Sequence, residues 1–590
     1  MRVDVLTAVL RKKLVSTNPN AGGLGQRERV KVPGRVARPS PTKCRPARTI
    51  VKSRAVLRTA IQTSLSATRG RHGSRVVAHG LHEQQTIRCM PALESSLRAS
   101  SSPRQVFAMR ALSFMTLLVI VCFLARTGAD GDLWGHLTFG RDIVRAGRVH
   151  SADPYSFTSD RPWINHEWLA EVTMWGAYAG GGAAGLVALK LILACAAGAA
   201  LLATWRLQPL RQTMRDSMLF LTALGTWPLL ATIRPQAFSA SLFAVLLLAL
   251  HRAREGHTRW LLALPVIFAV WVNVHGGWIV GAGTLAVFVA CSWCDSSWST
   301  RDRMLLLASA CASALATLCN PYGASMLGFL TETVRPARAD IIEWQPATRV
   351  PLVGLVLWTI PTAIAAFGAW RRHRRPALSS LLVVLLFAVG SFRVIRLVGF
   401  YALAVAFLMP PWNQAPGQGE PTRSDTPAPW WRTIATCGAL IVVAVMAFGR
   451  TLAMDGEWLP EREATAFIKT HGVRGRMLTW FDYGELAIWH FSPAIRVSMD
   501  GRRETVYSEQ LRDRHWRIYT NAPDALDEVA RLDPDYVWLP AACRVVERLE
   551  ASGWCPVFRG PRSVLLTKQP ACTTDTASQP TSVSRTFPGP

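Results

Sequence analysis

Residues 109–136 read MRALSFMTLLVIVCFLARTGADGDLWGH. Ala111–Ala125 carries no charge, and with its flanks it is nearly long enough for a helix to cross about 30 Å of hydrocarbon. Two carboxylates, Asp130 and Asp132, follow directly. After them Leu133, Leu137, Ile143 and Val144 recur at roughly helical spacing, which predicts an amphipathic helix lying along the membrane interface. The order is therefore a span, an acidic pair where it leaves the bilayer, and an interfacial helix.

Working outward, apolar segments recur at 184–204, 217–233, 236–252, 259–274, 277–294, 303–319, 352–370, 377–391, 394–410 and 431–449. With 109–126 they make about 11 spans. Lipid satisfies no backbone hydrogen bonds, and the segments lack the alternation of a transmembrane barrel. The expected fold is an α-helical polytopic membrane bundle.

The 590-residue chain carries 66 Lys+Arg against 38 Asp+Glu, a net charge of +28, yet 50% of it is hydrophobic and only 18% charged. Residues 1–108 hold 21 of the basic and 4 of the acidic residues, so most of the excess sits in a leader. That leader has no apolar period of 3.6 or 2 and reads as disordered. It is a cytoplasmic basic tail, a targeting peptide, or translated sequence ahead of a start at Met109; all three stay open. The remaining charge marks orientation, not a nucleic-acid partner. Arg206, Arg211 and Arg215, then Arg252, Arg254 and Arg259, then Arg371, Arg372, Arg374 and Arg375 fall on one side of the bundle. By the positive-inside rule that side, which is also the leader's, is cytoplasmic.

An odd number of spans puts the segment after Arg450 outside. Residues 451–567 read as a small α/β domain: a helix at Glu461–Thr470, strands at Arg476–Trp480, Ile495–Met499, Tyr536–Leu539 and Ser563–Thr567. Residues 568–590, rich in Thr, Ser and Pro, read as a disordered tail, and Asn413–Pro429 as a cytoplasmic linker. The transmembrane domain is then 109–450, with a long outer loop at 127–183.

By this topology the unusual polar residues all lie on the outer face. The long loop holds Asp130, Asp132, His136, Asn165, His166 and Glu167. Asn273 and His275 end one span, Arg234 another and Asn320 a third; Glu343, Arg393 and Arg396 follow further on. Each alone has a plainer reading: Pro stops helices, Arg snorkels to headgroups, Trp forms an interface belt, and a loop Asp is usually just solvated. Lys190, inside a span, reads as snorkelling. Together they point to a polar cavity at the membrane boundary.

Sugar transfer from a polyprenyl phosphate needs such a set. A carboxylate takes the acceptor hydroxyl's proton and cations stabilise the departing lipid phosphate. Asp132 or Asp130 is the candidate base with Glu167 beside it, Asp132 being preferred because Leu133–Trp134 holds it at the surface. Arg234, His275, Arg393 and Arg396 are the candidate phosphate ligands. A divalent metal (Mg or Mn) on Asp132, His166 and Glu167 is a further expectation. His136, Asn165, Asn273, Asn320 and Glu343 complete the cavity.

The runs Asp130–Gly140, Asp153–Glu171, Asn273–Trp278, Asn320–Gly323, Glu343–Trp344 and Asp500–Arg502 resemble the GT-C membrane glycosyltransferases. These include the protein O-mannosyltransferases and lipid A aminoarabinose transferases, and the closest likeness is to an uncharacterised bacterial group. The resemblance spans roughly 109–567. It implies a GT-C-like bundle in a bacterial inner membrane, a lipid-linked sugar donor, hexosyl or pentosyl transfer to an envelope acceptor, and an extracytoplasmic C-terminal domain. One departure stands out: Gly131 separates the two Asp residues, which are commonly adjacent in the family. A flippase of lipid-linked sugars and a non-catalytic scaffold with the same fold are the alternatives.

The 12 Cys are scattered and mostly beside spans; Cys291–Cys294 has no second pair for zinc, and Cys543 with Cys555 is a permitted disulfide. No nucleotide-binding fingerprint is present, which argues against an ATP-driven pump. A reporter fused after Arg450 is expected to be active outside the cytoplasm; cytoplasmic activity would mean the span count is wrong by an odd number.

Overall fold

Lipid offers no hydrogen bonds to a bare backbone, and every segment marked above as a span is helical in a computed structural model. The structure describes residues 103–205, 212–334, 341–371, 376–409, 430–448, 452, 454, 459–568, 575–576 and 587–589. Most of the leader, the linker Asn413–Pro429 and much of the tail lie outside the described residues.

The first span is α1 (Pro103–Ala125), which begins six residues before Met109. The interfacial helix is α2 (Leu133–Ala146). The second span is the distal part of α3 (Trp168–Trp205), a 38-residue helix broken at Gly182, whose φ of 56° only glycine adopts readily. The remaining bundle is α4 (Gln212–Leu230), α5 (Gln236–Arg254), α6 (Leu264–Val274), α7 (Trp278–Ser292), α8 (Thr300–Ala316), the short α9 (Ser325–Val334), α10 (Leu352–Arg371), α11 (Leu378–Arg393), α12 (Val398–Leu408) and α13 (Trp430–Phe448). Four helices among the described residues are long and apolar enough to cross a membrane on their own: 107–125, 168–205, 236–254 and 352–370. Leu112, Ile192, Val266, Leu352, Leu386 and Val443 point outward and are exposed, an apolar surface that suits lipid. Lys190 does not snorkel: it is 2% exposed, and its Nζ has no hydrogen-bond partner among the described residues.

The C-terminal domain is the expected α/β unit. It comprises α14 (Arg462–Thr470), β1 (Gly475–Thr479), α15 (Gly484–Phe491), β2 (Ile495–Val497), α16 (Glu509–Tyr519), α17 (Ala525–Leu532), β3 (Tyr536–Pro540), α18 (Val545–Ala551), β4 (Cys555–Arg559), β5 (Ser563–Thr567) and β6 (Asp575–Thr576). The strands run β2-β1-β3-β5-β4-β6, parallel through β2, β1 and β3 and antiparallel at β5. Strand β4 was not anticipated, since Pro556 interrupts its pattern. Cys543 is a free thiol while Cys555 is disulfide-bonded, so those two do not form the disulfide the sequence permits.

The long loop at 127–183 is built into this domain. Val497 N–H donates to Tyr155 O at 3.0 Å and Phe157 N–H to Val497 O at 3.1 Å, so the loop extends the sheet at the β2 edge. Beside this seam Arg502 makes a two-pronged bond to Asp153 at 2.6 and 3.0 Å and two bonds to Asp500 at 2.9 and 2.7 Å. Its guanidinium also stacks among Phe139, Tyr155 and Trp163. Within the stretch expected to be a disordered tail, Phe587 lies against Trp134, Tyr178 and Trp489, and Pro588 O accepts from Trp134 Nε1 at 2.9 Å.

Removing one partner from a buried ion group leaves the others charged and unpaired, at a cost of about 3–5 kcal/mol. Arg502→Ala is therefore expected to lower stability by about that amount in thermal or denaturant unfolding of the solubilised protein. Unchanged unfolding would mean that Arg502 does not join loop and domain.

Candidate functional site

The acidic pair is organised by its own backbone. Asp130 Oδ1 accepts the Asp132 N–H at 3.0 Å, an Asx turn that starts α2 with Asp132 at its N-cap. Arg234, just before α5, meets both carboxylates: its Nη2 donates to Asp132 Oδ2 at 2.8 Å, and its Nε pairs with Asp130 Oδ2. The third contact is Nη1 to Glu343 Oε1 at 3.4 Å. Burial alone would lower the Arg234 pKa, but the charges of Asp130, Asp132 and Glu343 hold it above its ordinary value. Glu343 bridges onward, its Oε2 lying 3.6 Å from Arg396 Nη1. Arg396 also donates to Gln236 Oε1 at 3.4 Å and sits over the Trp344 ring.

A second group flanks the first. Glu167 Oε1 lies 3.6 Å from His166 Nε2 and 3.8 Å from His275 Nε2. The His275 tautomer is fixed from behind. Gly277 N–H donates to Nδ1 at 3.0 Å, and Ser239 Oγ, which accepts from Trp271 Nε1, lies 2.8 Å from the same nitrogen. The ring proton therefore sits on Nε2, facing Glu167. Burial pulls the His275 pKa down to about 3, so the ring is neutral. Burial opposes ionisation of Glu167, but His166, His275, His136 and Arg396 outweigh it and hold its pKa below the ordinary value.

His136 joins the two groups. Its Nδ1 lies 3.2 Å from Glu171 Oε1, and Asn165 Nδ2 donates to the other Glu171 oxygen at 2.5 Å. Burial works against its protonation, yet the Glu171 bond and the charges of Glu167, Glu171 and Asp132 push its pKa up to about 9. The site thus holds two guanidiniums and an imidazolium among carboxylates, an arrangement suited to receiving an anionic headgroup.

Most of the predicted residues converge here: Asp130, Asp132, His136, Asn165, His166, Glu167, Arg234, His275, Glu343 and Arg396. Three do not. Arg393, at the end of α11, is exposed and makes no ion pair among the described residues, so it stands apart from the Arg234–Glu343–Arg396 group. Asn273 Nδ2 donates to Ala269 O and Cys319 O, both at 2.8 Å, and its Oδ1 accepts from Trp168. Asn320 closes a turn by accepting the Tyr322 N–H at 2.8 Å. Both asparagines serve backbone geometry.

The expected metal ligands Asp132, His166 and Glu167 do not form a centre. Asp132 Oδ2 is held by Arg234 and Glu167 is paired with histidines. Among the described residues no group of three or more His, Cys, Asp or Glu could hold a metal.

Four residues join the site from outside the expected set: Glu171, Gln236, Ser239 and Glu485. Glu171 follows Glu167 by one helical turn, a legible signal; Gln236 sits two residues after Arg234. Glu485 lies in the C-terminal domain, in the polar run Asp482–Glu485, and the sequence around it does not say that it meets Gly135.

The class this fold and site define is a helical membrane protein: a bundle of apolar helices with a charged rim, joined to a small α/β domain. Solved structures similar to the chain include ArnT from Cupriavidus metallidurans. It is 13% identical with a TM-score of 0.47 in the apo state, over 80% of this chain and 100% of that one. Bound to undecaprenyl phosphate it is 12% identical with a TM-score of 0.44, over 81% and 100%. The arabinofuranosyltransferase AftD from Mycobacteria, in an R1389S mutant, is 14% identical with a TM-score of 0.40, over 80% of this chain and 42% of that one. No family model matches the chain, and no curated protein sequence does. The roles of Asp132, Arg234 and their neighbours rest on this chain's own geometry.

A histidine whose folded pKa is raised contributes stability that is complete below its unfolded value of about 6.5 and lost as pH rises through the folded one. Wild type should therefore lose its stability advantage over His136→Gln as pH is raised through about 9, followed by thermal unfolding. A constant difference across that range would refute a charged His136.

Proposed function

We propose that the protein transfers a sugar from a polyprenyl-phosphate donor to an acceptor hydroxyl at the outer face of a bacterial inner membrane. About 11 spans, a cytoplasmic N-terminus and an extracytoplasmic C-terminal domain complete this reading, supported by the one-sided Arg loops. The observation that carries it is Arg234: one guanidinium holding Asp130 and Asp132 while sharing Glu343 with Arg396.

The donor's tail stays in the bilayer and its phosphate approaches Arg234 and Arg396. Neutral His275, its Nε2–H directed into the site, is a further donor to that headgroup. Asp132 is the base. Arg234 binds Oδ2, and the side chain is 28% exposed against 15% for Asp130, so Asp132 is the more open of the two. The acceptor hydroxyl gives its proton to Asp132 as its oxygen bonds the anomeric carbon. The bond from that carbon to the phosphate oxygen breaks, its electron pair stays on the phosphate, and the two arginines take up the charge. Asp130 holds Arg234 and the Asp132 backbone in register.

Reconstitution in vesicles with a labelled polyprenyl-phosphate sugar tests this. Asp132→Asn should slow transfer by about 10²–10⁴-fold, the usual worth of a positioned general base. Donor consumption unchanged in both Asp132→Asn and Asp130→Asn would sink the base assignment, and movement of intact donor across the bilayer without cleavage would favour transport.

A further inference from the structure

One side chain of the C-terminal domain, Glu485 on the first turn of α15, reaches the backbone of the helix that Asp132 caps. Glu485 Oε2 accepts the Gly135 N–H at 3.1 Å, one turn along from Asp132. A Cβ on Gly135 would stand 2.3 Å from that oxygen, so any side chain there would push the Glu485 carboxyl out of its place. Gly501 closes the other side: its Cβ would stand 2.5 Å from Glu485 Oε1 and 2.7 Å from Asp132 Oδ1. Two glycines from different domains thus leave room for a single carboxyl, 4% exposed, on the same side of Gly501 as Asp132 Oδ1.

We infer that Glu485 is a positioning residue for the transfer reaction: it clamps the first turn of α2 to the C-terminal domain and so fixes where the Asp132 carboxylate stands. The inference rests on Asp132 being the base. It makes the C-terminal domain part of the active centre, for a domain that merely capped the bundle would need no buried acid at this point.

The charges facing Glu485 agree with a clamp in the neutral acid form. Burial first, then Asp132, Asp500 and Asp130, push its pKa well above the carboxylate range, and Arg502 opposes only in part. A second carboxylate so close to Asp132 would repel it, whereas the neutral acid accepts the Gly135 N–H without that penalty. Asp500 is occupied elsewhere, by Arg502 and by Tyr507, whose hydroxyl donates to it at 2.7 Å.

The test compares full-length Glu485→Ala, Glu485→Gln and Gly501→Ala. Glu485→Ala is expected to lose about tenfold or more in kcat, with the KM for donor within about twofold of wild type, because the base is misplaced and donor binding is not. Glutamine keeps the neutral acceptor and should recover most of that loss. Gly501→Ala, which drives a methyl into both carboxyls, should fall with Glu485→Ala. Amide hydrogen exchange gives a readout independent of turnover: protection at Gly135 should drop in Glu485→Ala and return in Glu485→Gln, with β1 and β3 unchanged in both. Wild-type exchange at Gly135 in Glu485→Ala overturns the clamp, as does a glutamine variant no better than alanine. If wild type transfers no sugar, the functional reading fails while the exchange result still decides the clamp.

Discussion

A guanidinium taken out of water must be paired several times over, and Arg234 at one end of the bundle is paired three times. That requirement dictates much of the site. Asp130 and Asp132 come from the exit of α1, Arg234 from the turn between α4 and α5, and Glu343 from the segment before α10, so one cation ties three separate parts of the chain at one depth. The Asx turn then passes this order into α2, because the Asp130 side chain that pairs with Arg234 also accepts the Asp132 N–H. The glycine between the two acids lets one carboxylate cap the backbone while the other stays more open.

The C-terminal domain solves a second problem by the same means. A loop at 127–183 that leaves the membrane would be loosely held, and catalysis needs atoms fixed within fractions of an ångström. Here the loop joins the β2 edge, and Arg502 draws Asp153 and Asp500 together inside an aromatic box. Arg234 and Arg502 are thus parallel devices, each satisfying acids from distant parts of the chain. Between them lies α2, with Asp132 near the first and Phe139 near the second.

Local physics was legible in the sequence and long-range contact was not. Spans, the interfacial helix and most strands follow from apolar period and turn chemistry, which act over a few residues. Asp130, Asp132, Arg234 and His275 stood out because a charge at a span end is unusual. Arg393 was indistinguishable from Arg396 by that criterion, three residues apart in one rim segment; the break between them, where Val394 is extended, decides that one reaches Glu343 and the other is exposed. Asn273 and Asn320 misled for a related reason, since a buried amide that closes a helix end looks in sequence like one that binds a ligand. The partner of Glu485 lay beyond reach, because it is Gly135, 350 positions away.

The contacts of Glu343 differ in kind from the rest. Arg234 holds Asp132 at 2.8 Å, whereas Glu343 stands 3.4 Å from Arg234 and 3.6 Å from Arg396, and its side chain is 41% exposed. Long, solvent-screened contacts of this sort contribute little, about 1 kcal/mol or less. On the proposed function, the position between two guanidiniums is where a donor phosphate gains most, since its oxygens can engage both cations at once. Glu343 is then the one acid of the cluster that can yield without dismantling the site. Its displacement exchanges a weak carboxylate bridge for a stronger phosphate one and leaves the Asp130–Arg234–Asp132 core, on which the base depends, untouched.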